Sequence, residues 1–156
     1  MQKDPQAFID ALRGPALASA RATGVPASFA IAEAALESSW GTSLLAREAR
    51  NLFGVKADRA WQGDVYTLQT REYLNGRWVM VPARWRKYAD WGGSLGDHAA
   101  FLRSNPRYSR AFQAPDGISF ARAVADAGYA TDPDYADKII TVMLGRHLLD
   151  LDKESA

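Results

Sequence analysis

The sequence predicts an α+β domain, mainly α, with a single β-hairpin. Two observations carry this. Helix-start signals, an acid followed at once or soon by a helix-compatible turn, recur at Asp4, Asp90, Asp116 and Asp132, each ahead of an apolar stripe at helical spacing. Only between Val65 and Val81 does the period change to two, in a stretch rich in Thr, Tyr, Trp and Val with Asn75 and Gly76 at its centre.

Taken in order, Asp4 and Pro5 open a helix whose stripe is Phe8, Ile9, Leu12 and Leu17, with Gly14 and Pro15 expected to kink or break it. Pro26 opens the next helix, through Phe29 to Gly41, and a short one is expected over Ser43 to Ala49. Asn51 to Val55 reads as a compact apolar turn bent at Gly54. With Asn75 and Gly76 as the hairpin turn, Leu74 pairs with Arg77, Tyr73 with Trp78, Glu72 with Val79 and Arg71 with Met80; Pro82, which has no N–H, is expected to end the second strand. Asp90 caps a helix running to about Leu102, on whose core positions His98 reads as a packed histidine. Tyr108 to Phe112 makes one short turn. Asp116 to Ala127 forms a helix capped by Gly128, and Asp132 with Pro133 starts a last one that reaches about Leu149, leaving Lys153 to Ala156 frayed.

The chain has 156 residues, nearly half of them apolar, which suits a single domain over 1–156 with one sizeable core. A net charge of +1 favours neither nucleic acid nor an anionic surface as a partner. The cluster Arg71, Arg77, Arg84, Arg86 and Lys87 reads as a solvated hairpin face. There is no cysteine, and the two histidines lack the spacing of a zinc site, so no metal or cofactor is expected. No apolar run is long enough to span a membrane and no signal peptide is visible at the N-terminus.

The chemistry concentrates in FAIAEAALESSWG, Phe29 to Gly41, where Glu33 and Glu37 share one helix face a turn apart and neither has a Lys or Arg three or four residues away. Alanines flank both. A carboxyl in apolar surroundings or beside another carboxylate holds its proton to higher pH, as a general acid must. Most helical glutamates are simply solvated, so spacing alone leaves the role open.

ALESSWG, NLFGVK (Asn51 to Lys56), TREYLNGRW (Thr70 to Trp78), NPRY (Asn105 to Tyr108) and GYATDPDYA (Gly128 to Ala136) together resemble, in order and over nearly the whole chain, the glucosaminidase family that includes flagellar peptidoglycan hydrolase domains and phage endolysins, a glycoside hydrolase family 73-like group. The resemblance implies a lysozyme-like arrangement with a groove between the helices and the hairpin lobe. It implies Glu37 as general acid, with Trp40 beside it, and Glu72 or the substrate's own acetamido group as the second participant. Tyr129 would orient the acid or the acetamido group, and Trp40, Asn51, Phe53, Tyr73, Tyr108 and Tyr135 would contact substrate. By composition alone Phe53, Trp61, Tyr73 and Tyr108 are as readily core. Glu33 departs from the family pattern, which has glutamine there. Either it raises the proton affinity of Glu37, so that Glu33→Gln moves the limb governed by the acid downward, or it is itself protonated or paired with a distant arginine. Ser39 replaces a common glycine, a change expected to be neutral.

The expected activity is endo-β-N-acetylglucosaminidase-type hydrolysis of peptidoglycan glycan strands by a monomer, in a phage endolysin that reaches the wall from the host cytoplasm, or in a domain of a longer hydrolase. The alternatives are a muramidase or lytic transglycosylase of the same fold, and a glycan-binding module without activity.

Overall fold

A computed structural model describes residues 2–155. Helix α1 (Pro5–Thr23) starts where Asp4 Oδ1 accepts from Ala7 N at 3.1 Å, and it runs unbroken through Gly14 and Pro15. The expected break is absent because Leu12 and Ala16, on either side of the proline, are fully buried. Packing of α1 against α2 and α4 outweighs the loss of one hydrogen bond, a penalty of about 3 kcal/mol in an isolated helix.

Helix α2 (Ala27–Ser38) is the axis of the fold: α1, α4, α5, α6 and α7 all pack on it, and every residue but Leu36 and Glu37 is buried. Its small residues explain this, since Ala27, Ala30, Ala32, Ala34 and Ala35 let neighbouring helices approach on all sides. The helix stops three residues before Gly41. Ser39 (φ 53°), Trp40 (φ 58°) and Gly41 (φ 79°) form a left-handed run. Ser39 therefore holds a conformation that suits glycine and costs an L-residue roughly 1–2 kcal/mol, which corrects the expectation of neutrality.

Short α3 (Leu44–Glu48) is capped by Ser43, and the loop after it leads to strands β1 (Asp64–Leu74) and β2 (Arg77–Lys87). The register is the expected one, from Leu74 opposite Arg77 to Arg71 opposite Met80. Pro82 does not end β2; it sits opposite Gln69 and the strand continues to Lys87. Hydrogen-bonded and non-bonded pairs alternate away from the Leu74–Arg77 pair, so Pro82 falls at a non-bonded position where no N–H is required. Tyr73, Leu74, Trp78 and Met80 at the far end are exposed.

Helix α4 (Trp91–Ser104) is capped by Asp90, whose Oδ1 accepts from Gly93 N at 2.8 Å. A 3-10 segment over Pro106–Gln113 follows, then α5 (Gly117–Asp126), capped by Asp116. The last predicted helix is divided: α6 (Tyr135–Gly145), a break at His147 (φ 56°), a 3-10 turn at Leu148–Asp150, and α7 (Leu151–Glu154). It starts two residues after Pro133, because Asp132 Oδ1 caps the preceding turn at Asp134 N.

The C-terminal residues through Glu154 are helical rather than frayed, for an identifiable reason; Ala156 lies outside the described residues. Pro26 cannot cap α2 with a side chain, and the Asp152 carboxylate does so from α7, accepting from Ser28 N at 2.9 Å and Ser28 Oγ at 2.6 Å. Asp152→Ala is expected to lower unfolding stability by about 1–2 kcal/mol, the usual worth of a helix cap. Ser39→Gly is expected to raise it by about 1 kcal/mol. Urea denaturation of each variant checks both.

Candidate active site

The site lies where α2, α4, the Asn51–Asp58 loop and the Tyr129–Tyr135 segment meet. Glu33 and Glu37 stand on one side of α2, but their environments differ. Glu33 is fully buried (0% exposed), whereas Glu37 is the exposed residue of the helix. The expected acid is therefore the exposed one of the two, and Glu33, one turn before it, is sealed in the interior.

Among the described residues no arginine pairs with Glu33. Its Oε2 accepts from the Tyr135 hydroxyl at 2.6 Å, and its Oε1 lies 2.9 Å from His98 Nε2. A carboxylate only accepts, so both contacts are satisfied with the Nε2–H donating. The Tyr129 hydroxyl lies 3.1 Å from the same nitrogen. The His98 ring stacks on Phe53 with centroids 4.0 Å apart, and Tyr129 stacks on Tyr135 at 5.4 Å. His98 is packed, as its core position suggested, but its polar edge bonds the buried Glu33.

Glu37 holds its proton above the ordinary glutamate range. The largest cause is partial desolvation: the residue is open on one side, yet its carboxyl lies close enough to the protein body to lose water on the other. The negative charge of Glu33 adds to this, while the Tyr135 hydroxyl and the His98 imidazole oppose it. Burial and the nearby carboxylates push both the Tyr129 and Tyr135 phenols up, so they stay protonated donors.

Beside this cluster opens a cavity of about 350 Å³ whose walls include Phe53, His98, Phe101, Tyr108 and Tyr129, and, from the hairpin base, Arg86. The base is firmly held. Asn51 donates to the carbonyls of Val55 and Arg86 at 2.9 Å and accepts from Val55 N at 3.1 Å. Arg86 bonds Asp97 at 2.8 Å and lies over Trp61. Arg86 thus leaves the solvated basic face in which its sequence neighbours suggested it belongs.

Of the residues expected at the site, Glu37, Phe53, Tyr108, Tyr129 and Tyr135 come together. Asn51 is nearby but buried, with its amide spent on holding the loop, and Tyr135 is buried with its hydroxyl committed to Glu33. Trp40 packs edge-on against Phe8 with Arg146 over its ring, away from the cleft. Tyr73 is at the hairpin tip, edge-to-face with Trp78. Glu72 is exposed on β1 and forms no ion pair with Arg77 among the described residues. It stands seven positions along the strand from Val65, the partner of anchored Arg86, a span of about 24 Å at ~3.4 Å per residue. Sequence reasoning did not single out Asp97, Phe101 or Arg86 for the cleft; the alternation of β2 that puts Arg86 and Arg84 on one face was the available signal. Among the described residues no cluster of His, Asp and Glu could hold a metal ion.

An exposed carboxyl of raised proton affinity close to phenol donors, next to a cavity walled by aromatic rings, is the kind of arrangement that can protonate a bound oxygen. Residues 14–148 match the glucosaminidase family model, described as mannosyl-glycoprotein endo-beta-N-acetylglucosaminidase. The chain belongs to the glucosaminidase family. It is 42% identical over 142 residues to the peptidoglycan hydrolase FlgJ of Vibrio parahaemolyticus, covering 88% of this chain and 46% of that one. It is 40% identical over 145 residues to the exo-glucosaminidase LytG of Bacillus subtilis, covering 90% and 51%. Among solved structures, a C-terminally truncated glycoside hydrolase domain of Salmonella typhimurium FlgJ superposes with a TM-score of 0.83 at 38% identity, covering 92% of this chain and 98% of that one. The chain spans about half the length of the curated relatives it matches. The lysozyme-like glucosaminidase fold thus agrees with the α+β architecture predicted from the sequence.

The raised proton affinity of Glu37 links to stability with a definite sign. Its folded-state pKa exceeds the ordinary value of 4.5, so the fold gains stability from this proton below pH 4.5 and loses it as pH rises through the folded value. The stability advantage of wild type over Glu37→Gln is expected to shrink across that window. Thermal melts of both proteins over a pH series check this; a difference independent of pH would contradict it.

Proposed function

We propose that this chain hydrolyses the β-1,4-linked glycan strands of peptidoglycan as a glucosaminidase, with Glu37 as the proton donor to the leaving oxygen. The observation that carries the reading is the contrast on α2: Glu37 is the exposed residue of an otherwise packed helix, and partial desolvation and Glu33 strengthen its hold on a proton close to the Tyr135 and His98 side chains. Glycosidic cleavage needs such an acid and a second group to capture the sugar cation. Family membership and the peptidoglycan-directed relatives support the substrate class.

For the second group, the position of Glu72 far along the hairpin from its anchored base supports assistance by the substrate's own acetamido oxygen, with Glu72 as a contact to the strand. Two carboxyl groups acting as a pair stand about 5–9.5 Å apart. In the proposed step the acetamido oxygen attacks the anomeric carbon as the glycosidic bond breaks, and Glu37 delivers its proton to the departing oxygen. Water then opens the cyclic intermediate and returns a proton to Glu37. Tyr129, a protonated donor on the cleft wall, orients the acetamido group. Phe53 and Tyr108 offer apolar surface to the sugar rings. The same chemistry would serve a phage endolysin, and lysis from within, on co-expression with a membrane-permeabilising protein, tests that setting.

Clearing of a purified peptidoglycan suspension tests the roles. Glu37→Gln is expected to lose activity by about 100-fold or more, the usual worth of a positioned acid, and Glu72→Gln to retain it within about tenfold. Equal clearing by wild type and Glu37→Gln would remove Glu37 from this role. Loss of similar size in both variants would make the pair of carboxyls the mechanism.

A further inference from the structure

Glu33 and His98 make an expensive pair. A carboxylate without solvent access, with an imidazole 8% exposed at the side chain, is a poor way to stabilise a helix contact, because desolvation consumes most of what the attraction returns. A glutamine or an apolar residue would pack the same space. The pair is also placed next to the proposed acid and the cavity: Glu33 is one helical turn from Glu37, and His98 lines the cleft wall.

We infer that Glu33 and His98 are a positioning pair for the proposed acid, a buried couple one helical turn from Glu37 whose hydrogen bonds aim the phenols of Tyr129 and Tyr135. The inference rests on Glu37 as the proton donor and names what tunes it. Each link is a direct contact: Tyr135 donates to Glu33, His98 Nε2 bridges Glu33 and the Tyr129 hydroxyl, and Phe53 fixes the imidazole plane by stacking. The groups facing the pair are Glu37 from α2, Tyr108 from the 3-10 segment, and Tyr129 and Tyr135; Asp97, next to His98 on α4, is committed to Arg86 and Tyr88. The two members act on Glu37 in opposite senses, the carboxylate strengthening its hold on a proton and the imidazole weakening it. A residue that merely fills space would show no such opposition.

The test is the titration of the Glu37 carboxyl itself, followed by carbon NMR on glutamate-labelled protein, in wild type, Glu33→Gln and His98→Gln, beside the pH dependence of wall clearing. A general acid works protonated, so Glu37 governs the fall of activity toward high pH. In Glu33→Gln the titration and that fall are expected to move to lower pH; in His98→Gln both move to higher pH. Glu33→Gln keeps an acceptor for Tyr135 and decides alone if His98→Gln does not fold. Glu33→Ala, which also releases the phenols, is expected to lower kcat by up to about 100-fold with KM little changed, as misplacement of a reacting group does. An unmoved Glu37 titration in Glu33→Gln, movement of both variants in one direction, or wild-type kcat in Glu33→Ala would overturn the inference. If the titrations move as described but Glu37→Gln still clears the wall, the pair stands and the assignment of the acid falls.

Discussion

A carboxyl group sealed from water must find its hydrogen bonds within the protein, and Glu33 finds them in one hydroxyl and one imidazole from different parts of the fold. That constraint ties α2 to α4 and α6 at a single point. It also fixes the tyrosine stack and the imidazole that line the cleft, so the positions of the aromatic wall and of the buried charge are one arrangement. Glu37 is tied to the same point: one turn further along, it is exposed yet close enough to feel both members of the pair.

The rest of the molecule holds this point still. Small side chains let five helices close around α2, and Asp152, arriving from the far end of the chain, finishes the helix start that Pro26 leaves open. On the other wall, Asn51 and Arg86 lock the loop and the hairpin base onto α4, while the hairpin tip carries its aromatic pair out into solvent. The cleft therefore has a fixed base, and the aromatic pair at the far end of the hairpin stands exposed.

Much of this was legible in the sequence where the determinants are local. Asn75-Gly76 and a period of two gave the hairpin register residue for residue, and the acids at Asp4, Asp90 and Asp116 marked helix starts, because caps and tight turns are written within a few residues. The like-charged pair on α2 was visible in the sequence, though not that one of the two is sealed and the other exposed. What was not legible depended on partners far along the chain: Glu33 finds His98 65 residues away and Tyr135 102 residues away, and Ser28 finds Asp152 124 residues away. No periodicity encodes such contacts. The same holds for Pro15, tolerated because tertiary packing outweighs helix propensity, and for Pro82, tolerated by ladder parity.

The account stands on a reaction at one linkage, and the new chain end it creates reads that linkage directly. Purified sacculi digested with the protein, reduced with borohydride and analysed by mass spectrometry are predicted to yield fragments ending in reduced N-acetylglucosamine. Fragments ending in reduced or anhydro N-acetylmuramic acid would contradict it.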